Sequence, residues 1–524
     1  MNAPSHIVAG GALRGRRVLS MLPISRKERS RYILDLLEAA KKRWELTIDG
    51  VCQITDREPY QPLVAPAGKL FSPPPFLQVA DFERDPAQLA AVQERIRDAE
   101  RTTGVPMGRH ILASAHSIGR GFNVSLRFSN RYPLIERVTA DNEEPFRIMR
   151  RLFVFAEQAL DEAKPDIVLS TDWAIPLHAA FWMVGTSRGI PCITLRNSKL
   201  RSGRFFWSTD RLLWNTKAID DAMARHQTGE PVSENSAKFI QEFRNRPKVV
   251  AYISARWVDR ERRGFLRWHY DYVRATLREM SRKGQAQDLS LREPGFSRMY
   301  RYYRGRVMFY SQKRFLKSFD DEALRSMKYV YFPMHKEAEF AQTYQAAPWH
   351  DQRNTIRLLA GLLPAGYRLL VREHRMNYSV RPSRVYKHLA ALPNVTLINP
   401  FDSQFKYIQN ADLVVTENGS TGWEALVMGR RLITLSSTFY DGAGLGTKVW
   451  DPETLNEAML AVLAQPAVAD QSEHDLRLGR MLDSETDWSF PAGEAGLEEA
   501  LDLLERTAAP GLLAADQPRA MARV

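Results

Sequence analysis

Residues 412–437, Asp-Leu-Val-Val-Thr-Glu-Asn-Gly-Ser-Thr-Gly-Trp-Glu-Ala-Leu-Val-Met-Gly-Arg-Arg-Leu-Ile-Thr-Leu-Ser-Ser, leave little freedom in what this chain folds into. Two short apolar, β-branched runs, 413–415 and 432–435, flank a helix-forming stretch, 423–428, that stops at Gly429. That pattern is a βαβ unit. Its first turn, Glu417-Asn418-Gly419-Ser420-Thr421-Gly422, sets two hydroxyls and two glycines, which let backbone approach a ligand closely, at the mouth of a helix. Unpaired amides and the positive dipole end at such a mouth favour an anion, typically phosphate. In open α/β sheets, ligands bind beyond the carboxyl ends of the strands. The same residues also spell a capping box, in which Thr421 and Glu424 satisfy each other's amides and need no ligand.

At 524 residues the chain is too long for one ordinary core. Its 44% apolar and 26% charged content is that of a soluble globular protein. The longest apolar stretch, 174–185, is broken by Pro176 and His178 and falls short of a membrane span. No secretion signal is read at the amino terminus. Two cysteines, Cys52 and Cys192, fit a reducing cytoplasm better than a disulfide framework.

Alternating strand and helix signals predict two α/β domains. Residues 1–16 read as a flexible lead-in, 17–214 as a first α/β domain, 215–325 as a mostly helical, basic insertion and 326–465 as a second α/β domain. A helical segment, 466–507, and a disordered tail, 508–524, complete the chain. In the first domain strands are expected at 17–22, 45–48, 109–116, 167–169 and 192–195, and a long proline-rich loop at 57–78. In the second, strands at 329–332, 368–372 and 395–398 precede the organising unit.

The net charge of +13 points to an anionic partner. Much of the excess lies in 255–317, where arginines and lysines alternate with Trp257, Trp268, Tyr270, Tyr303 and Tyr310. Such a mixture stacks nucleobases or lies on a lipid surface. A solvated helical face over a buried aromatic stripe explains the same composition, and is the favoured reading for most of these residues.

Four loops at the carboxyl ends of successive strands of the second domain carry chemistry: His335 to Glu339, Arg372 to Arg375, Asn399 to Asp402 and Glu417 to Thr421. Hydroxyls, amides and a cation hold phosphates, and a carboxylate holds a ribose. No CxxC, HExxH or Asp-x-Asp pattern marks a metal site.

Several of these segments together, Tyr-Phe-Pro-Met-His335 with Glu339, Asp351-Gln352, Val371-Arg-Glu-His374, Leu392-Pro-Asn-Val395 and Asn418-Gly-Ser-Thr-Gly-Trp-Glu424-Ala-Leu, resemble the capsule polysaccharide biosynthesis family. The resemblance covers residues 328–440 well and the first half only in general pattern. It implies a GT-B-like architecture, two Rossmann-like domains facing across a cleft, the second holding a nucleotide-sugar donor and the first the acceptor. It further implies that His374 with Ser420 and Thr421, set by Gly419 and Gly422, contacts the donor phosphate. Glu424 would then be close to the nucleotide, with His335, Glu339 and Arg372 lining the cleft. Arg372 stands where the family commonly has lysine, and Arg375 where it has proline.

The base that activates the acceptor is sought in the first domain: Asp172, after the strand at 167–169, or His116. An aspartate at such a turn is as readily a helix N-cap. The expected function is a cytoplasmic glycosyltransferase of GT-B type that needs no metal or other cofactor. Its donor is a nucleotide-activated sugar, a CMP-linked acidic one foremost, and it serves bacterial capsule or lipopolysaccharide assembly. The acceptor is a glycan or lipid-linked molecule, and the basic insertion faces it or the anionic inner membrane, making the protein peripheral there. The alternatives are a nucleotide-sugar epimerase or polyol-phosphate transferase on the same scaffold, and a nucleic-acid-binding protein using the Arg/Tyr-rich segment.

Overall fold

The computed structural model describes residues 11–516 apart from 23–27, 53–59, 74–79, 112–142, 172, 174, 211–215, 227–230, 248–268, 271–272, 275–294, 337–339, 376, 379–380 and 466–470. The chain forms two open, mostly parallel sheets. In the first, strands β1 (Arg17–Met21), β2 (Thr47–Val51), β3 (Leu70–Phe71), β4 (Ile167–Ser170), β5 (Cys192–Asn197) and β6 (Arg204–Ser208) are joined by a strand from the far end of the chain. In the second, β7 (Tyr329–Pro333), β8 (Arg368–Arg372), β9 (Val395–Ile398), β10 (Leu413–Thr416), β11 (Leu432–Thr434) and β12 (Thr447–Lys448) lie in the order β12-β11-β10-β7-β8-β9. The visitor to the first sheet is β13 (Phe490–Pro491), and the order there is β13-β6-β5-β4-β1-β2-β3. Each sheet therefore starts at an interior strand and winds outward both ways, giving two Rossmann-like domains, a GT-B-like fold.

The helices follow from local sequence. In the first domain these are α1 (Glu28–Trp44), α2 (Pro86–Thr103), α3 (Glu144–Ala163) and α4 (Pro176–Ser187). In α2 the Asp85 carboxylate caps the amides of Ala87 and Gln88, proline opens the first turn, and Gly104 ends the helix at φ 67°. Between the sheets come α5 (Thr216–Arg225), α6 (Glu234–Asn245) and α7 (Gly295–Lys313). The second domain adds α8 (Gln352–Leu362), α9 (Ser383–Ala390), α10 (Gln404–Gln409), α11 (Ser420–Val427) and α12 (Leu455–Ala464), and the chain closes with α13 (Gln471–Trp488) and α14 (Leu497–Asp516).

Layered apolar clusters cover both faces of each sheet. Val168, Leu19 and Cys192 pack under α3 and α4, while Ile167, Leu169 and Ile193 face α1 and α14. A third cluster joins the halves: Leu200 and Phe206 of the first domain meet Ile219 and Met223 of α5, Leu478 and Leu482 of α13, and Phe439 and Tyr440 of the second. The expected insertion is helical in its described parts, and α5 and α6 are built into this shared core.

Four expectations change. Residues 109–111 are helical, not the start of a strand, because Ile111 and His110 turn inward against α4; residues 112–116 lie outside the described residues. The proline-rich loop contains β3 and a short helix, Gln61–Val64, and the hairpin strand β6 and β13 escaped notice. The lead-in is packed from residue 12 onward: Leu13 is buried, and the Ala12 amide donates to Glu505. Finally, α14 continues through Asp516, so residues 508–516 are not a disordered tail. Alanine-rich sequence forms helix readily, and Ala508 and Leu512 are buried on the first sheet, where the Trp207 indole N–H also donates to the Ala500 carbonyl at 2.8 Å.

Leu501, 1% exposed beneath that helix, tests whether the C-terminal segment is part of the first core. Leu501→Ala should cost about 2–5 kcal/mol in chemical denaturation, and a variant as stable as the parent would mean that the helix contributes no core packing.

Candidate functional site

Because β7 opens the second sheet and β10 returns on its other side, the connections leaving these two strands diverge and a crevice opens between them. A cavity of about 410 Å³ lies there. All four loops singled out from the sequence reach it: Met334 to Lys336 after β7, Arg372 to Arg375 after β8, Phe401 to Phe405 after β9, and Asn418 to Thr421 after β10. One residue comes from the other domain, Lys199, from the β5–β6 hairpin, whose ammonium also stands 5.9 Å from the Phe439 ring.

The loop after β8 is held from inside. The Glu373 carboxylate, 3% exposed, accepts from Arg381 Nε at 2.7 Å, the Tyr386 hydroxyl at 2.8 Å and the His374 backbone amide at 2.7 Å. With Glu373 anchored inward, Arg372, His374 and Arg375 line the cavity. The two arginines lean on the loop after β9: Arg372 donates to the Pro400 carbonyl at 2.7 Å and Arg375 to the same oxygen at 2.8 Å. Among the described residues no carboxylate lies within ion-pair distance of Arg372. Its charge is therefore not cancelled locally.

His374 feels that field. Burial, reinforced by Arg372, Lys336, Arg381 and Arg375, pushes its imidazole down to about 3, so at neutral pH the ring is uncharged and offers one N–H and one lone pair. An arriving anion would offset the surrounding positive charge and share the ring's donor.

The turn between β10 and α11 leaves its helix mouth open. Gly419 is the N-cap, and no side chain caps the helix. The capping box read from Thr421 and Glu424 is not made: Glu424 lies 2% exposed behind the turn, and its carboxyl accepts from the Gln404 amide at 2.6 Å. Gln404 in turn accepts from Arg372 at 3.2 Å. Burial, against the opposing pull of Arg372 and the Gln404 hydrogen bond, raises the Glu424 carboxyl to about 8. The residue expected close to the nucleotide is thus a neutral support beneath Arg372 and does not line the cavity.

The two glycines make close approaches of another kind. A Cβ on Gly419 would come 3.0 Å from Cε1 of His335, and one on Gly422 would come 2.0 Å from the Tyr440 hydroxyl. Each glycine thus makes room for a protein side chain, His335 or Tyr440. The His335 ring is thereby pressed against the turn, 3.4 Å from the Thr416 hydroxyl, while its backbone is clamped by Gln352 at 2.6 Å.

Of the predicted residues, His335, Arg372, His374, Gly419, Ser420 and Thr421 surround one cavity; Gly422 and Glu424 stand behind it. Glu339, Asp172 and His116 lie outside the described residues. Sequence reading missed Lys199 and Lys336 as lining groups, and missed Glu373 and Arg381 as the pair that aims the loop. The adjacency of Glu373 to His374 was the only local signal, since Arg381 becomes its partner through folding.

The β10–α11 turn is also tied to the first domain. Asn418 donates to the Ala341 carbonyl at 2.7 Å. That carbonyl opens the π-helical turn Ala341–Gln345, whose Tyr344 is buried in the first domain's core. There Tyr344 lies 5.4 Å from the His110 ring and 4.6 Å from the Arg109 guanidinium.

No protein-family model matches the chain, and no curated protein matches it. Similar solved structures include the KpsC β-Kdo 2,7 transferase of Thermosulfurimonas dismutans, 11% identical over 67% of this chain and 89% of that one, with a TM-score of 0.37. The UDP-GlcNAc 2-epimerase of Neisseria meningitidis bound to UDP-GlcNAc is 12% identical over 90% of this chain and 99% of that one, at a TM-score of 0.27. A glycotransferase of kitacinnamycin is 14% identical over 94% and 99%, at 0.25.

Two outcomes check this site. Arg381→Met should strand the Glu373 carboxylate and destabilise the fold by about 3–5 kcal/mol, read by denaturation; a neutral effect would remove the anchor. Glu424 binds more protons folded than unfolded between about pH 4.5 and 8, so its contribution is full below pH 4.5 and is lost as pH rises through about 8. Glu424→Gln should therefore match the parent near pH 4.5 and gain on it by up to about 1.4 kcal/mol per pH unit toward pH 8. A stability difference that does not change with pH would contradict the buried neutral carboxyl.

Proposed function

We propose that this chain is a glycosyltransferase of GT-B type that takes a nucleotide-activated sugar and works in the assembly of a bacterial surface polysaccharide such as capsule or lipopolysaccharide. One observation carries the reading. A single crevice at the strand-order reversal gathers an uncapped helix mouth with Ser420 and Thr421, the neutral His374 imidazole, and the cations Lys199, Lys336, Arg372 and Arg375.

Phosphate oxygens match the helix amides and hydroxyls, and an N–H from His374 adds a donor without adding charge. When the bond between the anomeric carbon and the phosphate oxygen breaks, negative charge grows on the departing nucleotide, where these preorganised groups stabilise it most. The acceptor hydroxyl forms the new bond to the anomeric carbon and gives up its proton to a base. For that base we retain Asp172 and His116, on the first-domain side. The donor we favour is a CMP-linked sugar acid, its phosphate at the helix mouth and its carboxylate facing the basic side chains that line the cavity. An epimerase would bind the same donor class but turn it over without an acceptor.

Thermal-shift titration with CMP, CDP, UDP and GDP tests the reading, because a ligand specific to the folded state raises its apparent stability. CMP should stabilise the parent most. His374→Ala should weaken that binding about 10- to 100-fold, the worth of a hydrogen bond to a charged group. No stabilisation by any nucleotide would overturn the proposal, and turnover of donor without acceptor would assign the chain to epimerisation.

A further inference from the structure

The chain from 295 to 317 carries seven arginines and lysines and no acidic residue. Most of it is α7, and that helix has two unlike faces. The inner face is fixed to the second domain: Met308 and Gln312 are buried, the Phe309 carbonyl accepts from the Tyr378 hydroxyl at 2.7 Å, and Ser311 bonds Ser383 at 2.9 Å. The outer face carries Tyr303, Val307 and Tyr310, which are 43%, 69% and 63% exposed. Their spacing of four and then three residues aligns them in one stripe. Arg314 is next along it, with Lys313 and Lys317 exposed nearby. Tyr270, 61% exposed, is carried alongside by His269, whose ring is 6.1 Å from that of Tyr303.

A globular surface does not need three large apolar side chains in register on one exposed helical face. Cations beside aromatic and aliphatic groups on a helix fixed by its other side suit an interface with anionic headgroups, where the rings seat at the polar boundary and the cations meet phosphate. A nucleic acid would be met by a groove with stacking platforms. This face is a single convex stripe, and Val307 at its centre has no ring to stack.

We propose that the outer face of α7, Tyr303, Val307 and Tyr310 with Lys313 and Arg314, docks the protein on an anionic phospholipid bilayer. The inference rests on this helix and stands apart from the nucleotide reading. It has a geometric consequence for that reading: Phe309, on the inner face, packs 6.0 Å from Phe401, which lines the cavity. One helix, about 10 Å across, then separates the lipid surface from the cavity wall, a short path for an acceptor that resides in the membrane.

Co-sedimentation of the full chain with sucrose-loaded vesicles tests this. Binding to phosphatidylcholine vesicles containing phosphatidylglycerol should exceed binding to phosphatidylcholine alone by at least about tenfold, and should weaken with salt. The triple variant Tyr303→Ser/Val307→Ser/Tyr310→Ser should lose about tenfold or more, and Lys313→Glu/Arg314→Glu should remove the preference for anionic lipid. Val307→Asp, a single change at the most exposed of the three positions, gives a second reading should the triple variant melt early. Unchanged melting and nucleotide-induced shifts would place the loss on the surface. Absence of binding by the parent, or equal binding by the folded variants, would overturn the proposal. So would an oligonucleotide that displaces the vesicles and binds more tightly through the same residues.

Discussion

The site depends first on a carboxylate that points away from it. Glu373 sits between Arg372 and His374 at the end of β8, and its three donors, Arg381, Tyr386 and the His374 amide, turn it into the interior. Successive side chains leave an extended strand on opposite sides, so fixing this one inward commits its neighbours to the crevice. The arrangement costs desolvation of a charge pair, which the three hydrogen bonds to the Glu373 carboxylate offset. Its product is an electropositive wall in which an imidazole can remain uncharged among three or more cations, because burial and their field disfavour its proton.

The two domains are not simply adjacent. Their contact runs through residues that also shape the crevice: Lys199 crosses from the first domain to the cavity, and Asn418 ties the β10–α11 turn to the π-helical turn that inserts Tyr344 beside His110. Leu200, Phe206 and the α5 and α13 residues share a core with Phe439 and Tyr440, and Tyr440 in turn fills the space beside Gly422. Any shift of one sheet against the other must move a wall of the cavity. Such coupling suits the proposed transferase, whose two substrates would be held by different domains.

The βαβ unit at 412–437, the strand at 368–372 and the helix at 144–163 were legible in the sequence because periodicity and punctuation agree over their whole length. Convergence of the loops carrying His335, His374 and Ser420 followed from topology alone, since parallel strands deliver their carboxyl ends to one edge. Long-range partnerships were hidden. β13 is only two residues long and reaches β6 across more than half of the chain, and β6, an aromatic run after a Ser-Gly turn, is fixed as a strand by its antiparallel pairing with β5. Glu424 was misplaced for a related reason: a local capping pattern is strong, yet Gln404, brought in by α10 and itself bonded by Arg372, holds that carboxyl. Gly419 and Gly422 matched a phosphate loop in composition, but the atoms they accommodate belong to His335 and Tyr440. The tail misled through its alanines, which read as low complexity and are helix formers once Leu512 has a surface to cover.

A crystal structure of the full chain with CMP bound tests the account most directly. The account predicts the phosphate against the first turn of α11, within hydrogen-bond reach of Ser420, Thr421 and His374, with Arg372 or Lys199 closing on it. A nucleotide bound anywhere else, or a phosphate in this crevice that touches neither the helix mouth nor the imidazole, would contradict it.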